Sequence, residues 1–85
     1  MNPRVAKVEY LQNHKLLLTF SNGERKIFNL MPYLNFPVYH SLQDESFCSH
    51  VSVFNGTVKW DETIDFDPDT LYLDSMPIAK VEFIS

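Results

Sequence analysis

Glycine is scarce in this 85-residue sequence, which contains only Gly23 and Gly56, and cysteine occurs once, as Cys48. The glycine-dependent motifs G-x-G-x-x-G, Walker A and G-x-S-x-G are absent, as is H-E-x-x-H. A lone cysteine cannot close an internal disulfide, which excludes the cross-linked frameworks that hold many small secreted domains together. Positive charge is also in short supply: 7 Lys and Arg face 11 Asp and Glu, for a net charge of −4. That balance repels phosphate backbones, so direct nucleic-acid binding is not expected; it suits plain solubility or a basic protein partner. No apolar run is long enough to span a bilayer, and Met1–Val5 lacks the apolar core of a signal peptide. These absences predict a cytoplasmic protein without membrane association.

What is present is apolar material. The chain is 45% hydrophobic, 14% aromatic and 21% charged, which is too rich in core-forming residues for a disordered tail. A chain of this length holds one domain and one core. We expect that domain over residues 1–76, with 77–85 as a C-terminal extension that adds an edge strand.

From Arg4 to Leu30 the pattern has period two, which marks a β-meander. Val8 and Tyr10 alternate with Lys7 and Glu9; Asn13-His14-Lys15 turns the chain into Leu16–Phe20; and Ser21-Asn22-Gly23-Glu24 leads to a third strand. That third strand places Phe28 and Leu30 on one face and Ile27 on the other. Asn22-Gly23 carries the positive φ tolerance that primed hairpin turns demand, and Asn55-Gly56 repeats it between Val51–Phe54 and Thr57–Trp60. Pro32 and Pro37 interrupt the strands with a short turn or a single helical turn. Val38, Leu42 and Phe47 then recur at near-helical spacing, with Ser41 or Asp44 as caps, predicting one or two short helices over the sheet. Asp67 and Pro68 open another helical turn through Tyr72. The fold expected is α+β: a small antiparallel sheet, made of a meander plus a second hairpin, with two or three short helices.

Few residues point to chemistry. Asp65, Asp67 and Asp69 occupy the first, third and fifth places of a calcium loop, but Thr70 stands where that loop needs glycine and Met76 where it needs a bidentate glutamate. A solvated loop ending in a helix cap explains them. Cys48, His50 and His40 lack a fourth zinc ligand and a C-x-x-C knuckle, so no metal or other cofactor is expected. Cys48 with His50, or Asp65 in a pocket, would be the seat of an enzymatic or ligand-binding domain, the alternative reading. Asn55-Gly56-Thr57 matches a glycosylation sequon that the hairpin turn accounts for. Trp60 and Tyr72 are large aromatics of the kind that anchor interfaces. Beside them, Asp61, Glu62, Asp65, Asp67 and Asp69 place five of the eleven acids within nine residues. Trp60, Asp61, Asp65, Asp67, Asp69 and Tyr72 are therefore the expected interface. Pairing through the edge Ala79–Phe83 would give a homodimer.

The order of these features resembles a small bacterial family known as domain of unknown function 2442. The residues that carry the resemblance are Val8, Leu16–Phe20 with Asn22-Gly23-Glu24, and Arg25 through Phe28-Asn29-Leu30. It continues in Phe47, Val51-Ser52-Val53, Thr57-Val58-Lys59-Trp60 and Asp65-Phe66-Asp67-Pro68-Asp69-Thr70-Leu71-Tyr72, and spans about residues 5 to 73. It implies a small α+β domain with no catalytic residues to carry over. It also implies, from relatives encoded beside a second small protein, a toxin–antitoxin-like pairing. Some relatives carry a helix-turn-helix domain that does not accompany this sequence. Asn29 departs from a commoner Asp, Asp61-Glu62-Thr63 lacks the usual Pro or Gly, and Pro77–Ser85 lies outside the pattern.

Overall fold

A computed structural model describes residues 2–61 and 64–78. Strands β1 (Val5–Leu11), β2 (Lys15–Phe20) and β3 (Arg25–Asn29) form the antiparallel meander, and Val8, Leu18 and Lys26 stand in one register row. Leu16, Leu18, Phe20, Phe28 and Leu30 point inward and are at most 1% exposed. Burying each removes enough apolar surface from water to contribute about 2–3 kcal/mol. The alternation of the sequence is therefore the alternation of the sheet's two faces.

Strands β4 (Ser52–Phe54) and β5 (Thr57–Lys59) form the second hairpin. It makes a separate two-stranded sheet rather than extending the first. The meander's far side is taken instead by β6 (Met76–Pro77), which pairs antiparallel with β3 to give the order β1-β2-β3-β6. The second hairpin docks at the start of β1, where Val5 N–H donates to the Gly56 carbonyl at 2.9 Å. Ala79–Phe83, expected as an edge strand, lies outside the described residues.

The two Asn-Gly turns differ. Asn55 (φ 50°) and Gly56 (φ 80°) form the expected primed turn. At Ser21–Glu24 only Gly23 takes a positive φ, 91°; its N–H donates to Phe20 O, and Phe20 N–H donates back to Glu24 O. This is a direct turn closed by a left-handed glycine, not the primed turn expected from the dipeptide. The unheralded left-handed pair is Asn13 (φ 65°) and His14 (φ 60°), between β1 and β2.

The helical pieces are short. Two 3-10 helices, Met31–Tyr33 and Pro37–Gln43, lead to α1 (Glu45–Cys48), which Asp44 caps by accepting from Ser46 N–H at 3.1 Å. Helix α2 (Pro68–Leu73) begins with proline at its first position, and Asp67 accepts from Thr70 N–H at 3.1 Å. Leu42, Cys48 and Leu71 reach the core, whereas Val38 is 55% exposed because its 3-10 segment turns it outward. No helix among the described residues is long and apolar enough to cross a membrane.

Candidate functional site

The stretch from Trp60 to Tyr72 is built on alternation. Ile64 and Phe66 are buried, while Asp65 and Asp67 between and after them are exposed. The loop is pinned at its base: Trp60 N–H donates to Ile64 O at 3.0 Å, and the backbones of Lys59 and Asp65 pair in an isolated antiparallel β-bridge. Asp61 accepts from Ile64 N–H at 3.0 Å, Asp67 caps α2, and Asp69 accepts from the Asn2 amide at 3.3 Å. Asp61, Asp65, Asp67 and Asp69 thus all face solvent on a framework set by buried neighbours.

The two aromatics expected beside them divide. Trp60 is only 9% exposed, packs edge-on against Phe66 and donates its indole N–H to the Cys48 carbonyl at 2.7 Å. It is a core residue and offers no ring to a partner, because the indole has both an apolar bed and a buried acceptor. Tyr72 is half-buried. Its ring stands edge-on to Phe20 with centroids 5.0 Å apart, and its hydroxyl donates to Glu24 Oε1. That bond, followed by the Asn22 amide, holds the Glu24 carboxyl below its ordinary range, and the same carboxylate pushes the Tyr72 phenol up.

Lys26 completes this cluster and was not anticipated. It is 8% exposed, with Nζ 3.6 Å from the Tyr72 ring centroid and donating to the Tyr72 carbonyl at 2.9 Å. Ser75 Oγ donates to the same carbonyl at 3.2 Å. A cation over an aromatic face and at a helix C-terminus is favourable on both counts. The signal was available: Lys26 shares the inward parity of Phe28 and Leu30. The turn at Gly23-Glu24 and the end of α2 at Leu71-Tyr72, with 46 positions separating Lys26 from Tyr72, meet here in space.

The residues of the alternative reading do not share a site. Cys48 is fully buried, and burial pushes its thiol up to about 11, which leaves little thiolate at neutral pH. His50 and Asp65 are exposed on separate segments, and Asp65 offers its carbonyl to the Tyr39 hydroxyl at 3.4 Å. None of the three lines either of two open depressions, of about 410 and 420 Å³, on the molecule's surface. Among the described residues, no three His, Cys, Asp or Glu side chains are placed to hold a metal ion.

A second polar network locks the β1–β2 turn. Glu45 Oε2 accepts from the Tyr10 hydroxyl at 2.9 Å and from Asn13 N–H at 3.0 Å, while His14 N–H donates to the Tyr10 oxygen at 3.3 Å. These bonds stabilise the two left-handed residues; the chemistry is that of a structural clasp.

In comparison with known proteins, the model of a family described as "Protein of unknown function (DUF2442)" matches residues 5–76. No curated protein and no solved structure matches the chain.

Proposed function

We propose, for a chain that belongs to the DUF2442 family, the role of a non-enzymatic cytoplasmic protein-interaction module whose acidic loop docks a basic protein partner. The pairing would be that of the acidic member of a toxin–antitoxin-like couple. The observation that supports this is the outward array of Asp61, Asp65, Asp67 and Asp69, fixed from beneath by Ile64, Phe66 and the α2 cap. The carboxylates of Asp61, Asp67 and Asp69 are already hydrogen-bonded and lose little freedom on docking, and a patch of one sign steers an oppositely charged partner. Exposed Leu73, 65% open, follows the acidic stretch and supplies apolar contact.

The test is co-purification of the tagged full chain with the product of the adjacent gene, followed by charge reversal at Asp65 and Asp69. A stable complex that Asp65→Lys with Asp69→Lys dissolves is the expected result. Recovery of monomer or homodimer alone in every condition overturns the reading.

A further inference from the structure

The acidic loop is one surface; the outer face of the four-stranded sheet is another, with the opposite chemistry. Register places Glu9, Leu17, Ile27 and Met76 in a single row across β1, β2, β3 and β6. Leu17 and Ile27 are half-buried and Met76 is open. On one long side of the row stand Lys7 and Arg25, on the other Lys15, all exposed. Leu17 lines one of the two open depressions and Ile27 the other. As direct cross-strand neighbours, these two side chains set the depressions side by side along the row, as the two halves of a shallow trough.

Charge decides what fits it. The trough is lined by Lys7, Lys15 and Arg25 against Glu9 and Asp74, an excess of cations in a chain whose net charge is −4. The carboxylates sit at its two ends, and Asp74 there accepts from the Tyr33 hydroxyl at 2.8 Å. The cations flank its apolar middle.

We infer that this face is a second docking surface, and that its occupant is an acidic amphipathic segment of a protein partner, with apolar side chains over Leu17, Ile27 and Met76 and carboxylates toward Lys7 and Lys15. A second copy laid face to face with its rows aligned would set cation flank against cation flank, which is unfavourable. Nucleic acid would leave the aliphatic row unused, since no aromatic ring on this row stacks on bases. The inference goes beyond the acidic-loop reading and stands or falls separately from it, because the two surfaces carry opposite charge and share none of the residues to be altered.

The test is an NMR titration of the isotope-labelled full chain with three probes: an amphipathic leucine–glutamate peptide, its leucine–lysine counterpart, and a short DNA duplex. The expected result is that the leucine–glutamate peptide alone shifts the resonances of Lys7, Lys15, Leu17 and Ile27, with an affinity that falls as salt rises. Lys15→Glu, at an exposed position that leaves the core untouched, should weaken that binding at least about tenfold. Asp65→Lys with Asp69→Lys should leave it intact, which separates this surface from the acidic loop. Four results would overturn the inference: silence of the face toward the acidic peptide at millimolar concentration, equal response to both peptides, preferential DNA binding, or dilution-dependent shifts of the same residues that reveal self-association.

Discussion

The two Asn-Gly hairpins carry the same dipeptide and solve different problems. At Ser21–Glu24 the turn is tied to the chain's start by Ser21 N–H donating to the Arg4 carbonyl at 2.8 Å, but Gly23 itself is open: a Cβ built on it would meet nothing within 4 Å. Side chains add to its backbone bonds: Asn22 accepts from Glu24 N–H at 3.0 Å, and Glu24 takes the Tyr72 hydroxyl. At Asn55–Gly56 the turn is wedged against the chain's start, where a Cβ on Gly56 would lie 2.9 Å from Arg4 Cβ. Glycine in the first supplies a backbone angle; in the second it also supplies space. One motif therefore marks a turn in both places without specifying what the turn touches.

The largest test of this contrast lies at the base of the wedged hairpin. Trp60 follows β5, fills the core beneath the acidic loop and satisfies the Cys48 carbonyl. Trp60→Ala should cost ~3–5 kcal/mol in chemical denaturation, because it leaves a cavity and an unpaired buried acceptor. A loss below about 1 kcal/mol would mean the hairpin does not depend on the indole.

Next comes the comparison of the glycines themselves. Gly23→Ala imposes only the left-handed backbone penalty, about 1 kcal/mol. Gly56→Ala imposes the same penalty plus a contact with Arg4 Cβ, an atom that cannot swing aside, and should cost about 3 kcal/mol. Equal losses in thermal or denaturant unfolding would show that packing against Arg4 contributes nothing.

These particulars mark how far the sequence could be read. The meander was legible because period two in Val8–Tyr10, Leu16–Phe20 and Ile27–Leu30 maps directly onto burial. The caps Asp44 and Asp67 were legible because an N-cap is a local bond. The α+β class followed from both. The separate second sheet was not legible, since hairpin signals describe neighbours along the chain and say nothing of which edge a hairpin joins. The carboxylates of the acidic loop were identified by composition alone, but the depth of Trp60 depended on the distant Cys48 carbonyl. Lys26 carried an inward parity at odds with a lysine's usual place in water, and only the Tyr72 ring and carbonyl, remote in sequence, explain it.

The smallest expected effect tests whether the open turn is held by charge. Glu24 has its carboxyl lowered, first by the Tyr72 hydroxyl, then by Asn22, with Lys26 adding attraction. A carboxyl lowered in the folded state contributes stability above its unfolded value, about 4.5, and that contribution is lost as pH falls through the lower folded value. Glu24→Gln cannot lose a proton, so its stability should decline less steeply on acidification, and the gap from the unaltered chain should close below that window. Because Glu24 is solvent-accessible, the difference should also shrink with added salt. Glu45 is lowered in the same sense by Asn13 N–H and the Tyr10 hydroxyl, so the slope that remains in Glu24→Gln should flatten further in Glu24→Gln with Glu45→Gln. Parallel acid curves for the single variant and the unaltered chain would show that the turn at Ser21–Glu24 does not depend on its carboxylate, making that group dispensable where the wedged turn's glycine is not.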